Sequence, residues 1–340
     1  MASKDKAAVG MRFIAAVIEE KVNPKALFFA CGEGKVDYIA YLQKCLGSEF
    51  DVVFLGGNNN PVAKISHPLS EQAVVLRFVP VSKTASANGT SSEQALSVLQ
   101  TSPRFQKPFF KTQAVETEFE KILLECSAFH AKGSLESFCK AQRSHLNEDE
   151  FTQMVTKQVR NLFFLAASIR RKGVWHTDIK PSNLLLDDNG NLVLSDTKGL
   201  LLYEGRFIKR NRIDASCAYY DTSILGAGNQ TDLSRLLQLN IAVSIYEILS
   251  GELPEQDFKI AARDASLNFD FSGAVFSTSE GKRLKSCIKN LTDDKECDFG
   301  LWIKQLSRPA FQEATSSYKQ SLLDIASHRQ SNSLSSNGLN

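Results

Sequence analysis

Several features that define common protein classes are missing from this sequence of 340 residues. It has only seven cysteines, and none stands in a Cys-x-x-Cys pair with histidine ligands nearby. This scarcity argues against a disulfide framework and a zinc site, and it is typical of a reducing cytosol. No G-x-S-x-G turn is present, so acyl transfer at a nucleophile elbow has no support.

Long apolar runs and a strong net charge are also lacking. The most apolar window, Leu239 to Leu249, contains Asn, Ser and Glu and is too short to span a bilayer. The opening MASKDKAAVGMRF lacks the apolar run of a signal peptide. The formal net charge is only +2, whereas nucleic-acid proteins carry a concentrated basic footprint. These absences predict a cytoplasmic protein with no transmembrane segment and no nucleic-acid partner.

The hydrophobic pattern divides the chain into a strand-rich part and a helical part. It predicts a leading helix from Ala7 to Val22 and three short strands between Asp51 and Val81. After Gly133 the pattern becomes mostly helical, and the apolar steps from Phe151 to Ile169 predict a long buried helix. The fold class is therefore α+β. The polar segment 328–340 has little apolar content and is predicted to be disordered.

The most informative stretch is WHTDIKPSNLLL, which begins at Trp175. The DDNG sequence that follows is a hairpin turn signal, so two short strands should pair there. The hairpin would bring Asp178 and Asn183, which precede it, close to Asp196, which follows it. Oxygen atoms of Asn183 and Asp196 suit a hard cation such as Mg²⁺. Asp178 can orient a hydroxyl and Lys180 can neutralise a phosphoryl group, a set that suits phosphoryl transfer.

These residues resemble the catalytic motifs of the eukaryotic-type protein kinase superfamily. The pattern H-R-D-x-K-x-x-N is matched by His176 to Asn183, with Thr177 in the place of arginine. The metal-binding D-F-G is matched by Asp196-Thr197-Lys198, with Gly199 one place late. The resemblance covers residues 50 to 260, and the two motifs together are far more specific than a lone glycine motif.

The resemblance implies a two-lobed, protein-kinase-like fold and a role for each motif residue. An N-terminal helical extension (1–48) would precede an N-lobe (49–126), a C-lobe (127–327) and the tail (328–340). Asp178 and Lys180 would be catalytic, Asn183 and Asp196 would hold Mg²⁺, and ATP would donate the phosphoryl group. The lysine two residues after the aspartate resembles the serine/threonine branch, so a protein hydroxyl is the expected acceptor.

Two further landmarks of the family are placed by spacing. Glu93 corresponds to the glutamate of the family's helix C, although an ordinary exposed helix glutamate is an equal alternative. Leu124-Glu125-Cys126 corresponds to the gatekeeper and hinge, where the resemblance implies that backbone groups of Glu125 and Cys126 bind adenine.

In the family, a lysine on the third strand anchors the nucleotide phosphates, and two residues of this sequence are candidates for its position. In one frame Gly56-Gly57 begins a degenerate phosphate loop and Arg77 takes the lysine position. In the other frame Gly32-Glu33-Gly34 is the loop and Lys64 is the lysine. Spacing favours Arg77, whose guanidinium can bind phosphate oxygens in bidentate fashion.

The motifs also depart from the family pattern. Thr177 cannot pair with a phosphorylated activation segment, so regulation by such a phosphate is not expected. Thr197 and Lys198 weaken the hydrophobic contact of D-F-G. Motifs altered in this way resemble those of kinase-like effectors that intracellular bacteria deliver into the host cytosol. A bacterial effector is therefore one hypothesis for this protein.

A basic segment follows the D-F-G-like motif and contains Arg206, Lys209, Arg210 and Arg212. A solvated surface run is one interpretation. The other is an anion site for an acidic substrate, an inositol phosphate or a phosphoinositide headgroup, which would order this segment in place of a phosphate.

The sequence therefore predicts an ATP- and Mg²⁺-dependent protein serine/threonine kinase. Two alternatives stay open. One is a pseudokinase that acts as a binding or scaffold module, because the glycine loop and D-F-G are altered. The other is a different transferase on the same fold, either nucleotidyl or small-molecule.

Overall fold

The computed structural model of the chain is described over most of its length. The described residues are 2–56, 61–80, 92–99, 102, 104–106, 108–111, 115–116, 121–196, 199–209, 219, 221–226, 230–259, 264–293 and 296–308. They fall into two compact units, the first drawn from 1–138, 169–217 and 224–237, and the second from 139–168, 218–223 and 238 onward. The predicted domain boundaries stay predictions, and the predicted disordered tail lies outside the described residues.

Three helices open the first unit: α1 (Ala2–Lys21), α2 (Pro24–Glu33) and α3 (Lys35–Leu46). The predicted leading helix is confirmed as α1. Asn23 caps α2, because its Oδ1 accepts hydrogen bonds from the backbone N–H of Lys25 at 3.0 Å and of Ala26 at 3.1 Å. Gly34 separates α2 from α3 with φ near 131°, a conformation that favours glycine.

A six-stranded antiparallel sheet follows. Its strands are β1 (Asp51–Gly56), β2 (Val62–Ser66), β3 (Val74–Pro80), β4 (Pro108–Lys111), β5 (Val115–Glu116) and β6 (Lys121–Ala128). The order is β1-β2-β3-β6-β4, with β5 also paired to β6. The three strands predicted between Asp51 and Val81 are confirmed as β1, β2 and β3. The register of β3 and β6 places Arg77 opposite Glu125.

The two faces of this sheet differ because successive side chains on a strand point to opposite sides. One face packs against α1, α2 and α3 to form a single hydrophobic core. Its fully buried members include Ile18, Leu27, Leu42, Leu76 and Leu124. The opposite face carries polar side chains, among them Lys64, Arg77 and Glu125. The N-terminal helices therefore cover the apolar face.

The remaining elements of the first unit carry the motif residues. They are α4 (Ser92–Leu99), β7 (Val174–His176), β8 (Leu184–Leu186), β9 (Leu192–Leu194), β10 (Leu200–Leu202), β11 (Phe207–Lys209), β12 (Leu225–Gly226) and β13 (Gln230–Asp232). The predicted hairpin is confirmed as β8 and β9, with Leu184 opposite Leu194. Asp187 closes its turn by accepting a hydrogen bond of 2.7 Å from the backbone N–H of Asn191.

Helices dominate the second unit and the segments that lead into it. These elements are α5 (Leu135–Arg143), α6 (Glu148–Arg170), α7 (Leu233–Ser250), β14 (Glu255–Lys259), β15 (Asp264–Asn268), α8 (Ser279–Thr292) and α9 (Phe299–Leu306). The predicted long helix is α6, and a capping box starts it. Asn147 Oδ1 accepts from the Glu150 N–H at 3.0 Å, while Glu150 Oε2 accepts from the Asn147 N–H at 3.2 Å. None of the helices in the described ranges is long and apolar enough to cross a membrane.

The packing of α3 on the sheet leads to a stability prediction. Leu42 is 0% exposed, so Leu42→Ala should leave a cavity and lower the free energy of unfolding by about 2–5 kcal/mol. Val36 on the same helix is 77% exposed, and Val36→Ala should change it by less than about 0.5 kcal/mol. Urea unfolding of the full chain followed by circular dichroism measures both, and equal losses would contradict the described packing.

Candidate active site

A buried histidine joins the two motifs of the first unit. His176, at the end of β7, is 1% exposed, and its Nδ1 accepts a hydrogen bond of 3.1 Å from the backbone N–H of Asp178. Its Nε2 lies 2.8 Å from the backbone carbonyl oxygen of Asp196 and must donate to it. Desolvation by burial lowers the pKa of His176, which keeps the ring neutral with the proton on Nε2. The ring thus holds the backbones of both carboxylate residues.

Gly199 allows the two motifs to approach each other. A Cβ at this position would lie 2.9 Å from the His176 ring and 3.3 Å from the backbone nitrogen of Asp178. The Gly199 carbonyl accepts hydrogen bonds from the backbone N–H of Thr177 at 3.0 Å and from its hydroxyl at 3.3 Å. Thr177 is only 4% exposed, so this position has a local structural use and presents no cation.

The catalytic-loop side chains form one hydrogen-bonded group. Lys180 Nζ lies 2.8 Å from Asp178 Oδ2 in an ion pair whose side chains are 26% and 14% exposed. Asn183 Nδ2 donates to the backbone carbonyl of Asp178 at 3.0 Å and to its Oδ2 at 3.3 Å. The amide of Asn183 is thereby oriented with Nδ2 towards Asp178, and no described group donates to its Oδ1.

The hairpin brings Asp196 to this group as the sequence predicts. The Asn183 carbonyl accepts from both the backbone N–H and the hydroxyl of Ser195, each at 3.0 Å. Asp196 follows directly and is held through His176. The residues Asp178, Lys180, Asn183 and Asp196 are thus parts of one local network. Thr197 and Lys198 lie outside the described residues.

A guanidinium links this network to the sheet. Arg77 Nη2 lies 2.8 Å from Glu125 Oε1 and 2.6 Å from the Ser195 carbonyl oxygen, and its Nε lies 3.3 Å from Glu125 Oε1. Glu125 is 0% exposed and Arg77 is 19% exposed, so the pair is largely desolvated. A buried carboxylate is costly unless a cation pairs with it. Sequence reasoning placed Arg77 here but missed Glu125 as its partner.

The residues of the predicted hinge, Leu124-Glu125-Cys126, lie inside strand β6 in this structure. The backbone there is paired with β3 on one side and with β4 on the other. The side chains of Leu124 and Cys126 are buried in the core with the N-terminal helices. Burial raises the pKa of the Cys126 thiol, which is the behaviour of a core residue. The strand ends at Ala128, and the chain leaves the sheet at Phe129.

Of the two frames for the anchoring cation, only the one with Arg77 has the matching topology. Gly56 ends β1 and Val62 begins β2, and Gly57 lies outside the described residues together with 58–60. Gly32 lies in α2 and Gly34 precedes α3, so these glycines form no turn between strands. Lys64 lies on β2, with its Nζ 4.9 Å from the centre of the Phe129 ring. The topology therefore favours Arg77, and Lys64 stays a prediction.

Two other predicted groups are only partly described. Glu93 lies in α4 as predicted, but its side chain is outside the described residues. Arg206 forms an ion pair with Asp232, with Nη2–Oδ2 and Nε–Oδ2 distances of 2.6 and 2.9 Å, which offsets its charge at the predicted anion site. Lys209 is exposed on β11, and Arg210 and Arg212 lie outside the described residues.

Comparisons with known proteins agree with this geometry. The chain is 28% identical over 168 residues to CBL-interacting serine/threonine-protein kinase 5 of Arabidopsis thaliana, which covers 47% of this chain and 36% of that protein. It is 32% identical over 126 residues to putative CBL-interacting protein kinase 27 of Oryza sativa subsp. japonica, covering 36% and 30%. The chain thus spans about a third of the length of these curated relatives.

A solved kinase structure has a similar fold. The crystal structure of the BubR1 kinase domain superposes with a TM-score of 0.55 and 16% identity, covering 84% of this chain and 93% of that domain. No family model matches the chain. The chain has the protein kinase fold, with a strand-rich N-terminal part and a mainly helical C-terminal part. The predicted fold class and the predicted resemblance to the protein kinase superfamily are confirmed.

The neutral His176 ring generates a pH prediction. Its folded-state pKa lies below the unfolded value of about 6.5, so the unfolded chain binds the extra proton and stability falls as the pH drops through and below that value. A cationic ring would also place an N–H against the N–H of Asp178. We expect the free energy of unfolding to fall between about pH 7.5 and 5.5, with this group adding at most about 1.4 kcal/mol per pH unit.

The measurement is urea unfolding at several pH values in wild type and in His176→Gln. The variant should be less stable at neutral pH but should depend less on pH, because its side chain does not titrate. His145→Gln, at an exposed position, is the control and should keep the wild-type dependence. A wild-type slope in His176→Gln would show that another group carries the effect.

Proposed function

We propose that this chain is a protein serine/threonine kinase, which transfers the γ-phosphoryl group of ATP to a hydroxyl of a protein. The observation that carries the proposal is the single network of Asp178, Lys180 and Asn183 with the segment that ends at Asp196. Phosphoryl transfer depends chiefly on positioning and on charge neutralisation, and these four side chains supply both. The relatives named as serine/threonine kinases support the proposal.

Asp178 and Lys180 perform the transfer in this proposal. Asp178 orients the acceptor hydroxyl and accepts its proton as the oxygen–phosphorus bond forms, while the bond from the γ-phosphorus to the bridging oxygen of ADP breaks. Lys180 stabilises the negative charge on the phosphoryl group in flight. Their ion pair, 2.8 Å long, keeps Lys180 beside the carboxylate that receives the hydroxyl.

Asn183 and Asp196 fit a magnesium ion that accompanies the nucleotide. Nδ2 of Asn183 is used by Asp178, so its Oδ1 is the atom offered to a cation. The bound ion would neutralise phosphate charge. A Mg²⁺ ion bound with ATP needs only one or two protein oxygens, because phosphates and water complete its shell. The described residues contain no cluster of three His, Cys, Asp or Glu side chains able to hold a metal alone.

Arg77 is the proposed phosphate anchor and Glu125 its positioning residue. The pair replaces the lysine and helix C glutamate that the resemblance implies, and it lies within the sheet. Gly56 and Gly57 would begin the turn that covers the phosphates. The backbone that meets adenine would lie after Ala128, at Phe129 and His130. Glu93 stays a second candidate partner for the anchor.

Regulation is proposed to need no phosphate on the activation segment, because Thr177 is neutral and bound to Gly199. A polyanion such as an inositol phosphate or a phosphoinositide headgroup would act through Lys209, Arg210 and Arg212, without Arg206. Action in the cytosol, and delivery into a host cell by a bacterium, also stay proposals. The relatives named above are plant proteins.

Label transfer from γ-labelled ATP with Mg²⁺ to a mixed protein substrate tests the function. Asp178→Asn should lower the rate by about 10²–10⁴-fold, because the proton acceptor is lost, and Asp196→Asn should act similarly. Asp37→Asn, an exposed carboxylate on α3, is the matched control and should keep the wild-type rate. Label from α-labelled ATP alone would indicate nucleotidyl transfer, and no transfer from either would indicate a binding module.

The role of Arg77 and Glu125 in binding ATP can be tested separately. Because a hydrogen bond to a charged group contributes about 1.5–3 kcal/mol, Glu125→Gln should raise KM for ATP by about 10–100-fold. Arg77→Met should do the same, and the double variant should cost little more than either, because both remove one interaction. Glu93→Gln is the matched comparison. If Glu93→Gln alone raises KM, the helix glutamate holds the anchor instead.

A further inference from the structure

A groove of about 540 Å³, lined mostly by polar and charged residues, lies entirely within the second unit. It is formed by one side of α6, the first turn of α8 and the end of α9. On α6 the residues Asp149, Gln153, Thr156 and Arg160 follow one another at steps of four, three and four, so they line one face of the helix. Thr156 and Leu306 are 6% and 5% exposed and form the floor of the groove.

Three cationic side chains line this groove: Lys157, Arg160 and Arg308. Within the described ranges none of them forms an ion pair. Of the two carboxylates in the lining, Glu280 is already bound, because Arg283 Nη1 lies 2.8 and 3.0 Å from its two oxygens. Only Asp149 offsets the three cations. Like charges gathered in one concave site raise the local potential and attract an anion.

Arg160 gives a more specific indication. Its Nε is buried, yet the described residues contain no hydrogen-bond acceptor for it. A buried donor without an acceptor is rare in folded proteins and points to a partner that binds there. The guanidinium is a planar donor that matches two oxygens of one phosphate group.

The walls of the groove also favour an anion. The 14-residue helix α8 begins beside it, and Thr278 caps it by accepting the N–H of Gly281 at 2.9 Å. The backbone N–H groups of its first turn carry the positive end of the helix dipole. Arg283 fixes α8 to the end of α9, since its Nη1 donates to the Arg308 carbonyl at 2.9 Å and its Nη2 donates to that of Gln305.

We propose that this groove binds a phosphomonoester, in the form of a phosphorylated serine or threonine on a protein segment. The groove is much larger than a phosphate ion, and Gln153 and Ser307 line it with further hydrogen-bonding groups that suit a peptide. Arg160 and Lys157 contact the phosphate oxygens, and Arg308 contributes charge at the rim. The proposal does not depend on catalysis by the first unit.

Isothermal titration of the full chain tests this site. The probes are a phosphoserine peptide, the same peptide without phosphate, and inorganic phosphate. Arg160→Met with Lys157→Met should weaken binding of the phosphopeptide at least about tenfold, because two charge-assisted contacts are lost. Asp149→Asn should tighten it about threefold, since it removes the one opposing charge.

Controls separate this site from other phosphate-binding groups. Lys304→Met removes an exposed cation of α9 that does not line the groove, and Lys180→Met removes one from the candidate active site. Both should leave the affinity unchanged. Binding of inorganic phosphate as tight as that of the phosphopeptide would assign the site to small phosphates. If the phosphopeptide does not bind to the wild-type chain, the proposal is overturned. It is also overturned if Asp149→Asn and the double variant bind the phosphopeptide with equal affinity. The test on the wild-type chain does not require the double variant to fold.

Discussion

Glu125 is a carboxylate with no solvent exposure at the centre of a six-stranded sheet, and such a charge must be paired. Its partner, Arg77, is directly opposite on the neighbouring strand, and the same guanidinium reaches the carbonyl of Ser195. One ion pair therefore joins the sheet to the segment that presents Asp196. Removal of one partner from a buried pair typically costs about 3–5 kcal/mol, which keeps this junction fixed.

The site is built outward from that junction by backbone hydrogen bonds. Ser195 binds the carbonyl of Asn183, and His176 binds the backbones of both Asp178 and Asp196. Few of these contacts depend on side-chain charge. The substitution of Thr177 for arginine is tolerated because Gly199 supplies the carbonyl that holds the threonine. The loop is thus ordered by packing and neutral hydrogen bonds, in the absence of a cation at that position.

The local parts of this architecture could be predicted from sequence because their signals are local. The hairpin of β8 and β9, the strands β1 to β3 and the helix α6 each have a clear period or a turn signal. The partner of Arg77 could not be predicted, because 48 residues separate it from Glu125 and the pairing depends on strand register. The sequence of β6 also does not show at which residue its pairing ends, so the position of the hinge stays a prediction. The short helix α5 and the hairpin of β14 and β15 were not predicted, although Leu135 and Cys139 have the spacing of one buried helix face.

The helices α1, α2 and α3 cover the apolar face of the sheet. Side chains alternate between the two faces of the sheet, the face that Leu76 and Leu124 share is apolar, and these helices bury it. Without them a large apolar surface would face water. The same alternation directs Arg77 and Glu125 to the opposite face. The cover and the ion pair are therefore consequences of one strand register, and a shift by one residue would destroy both.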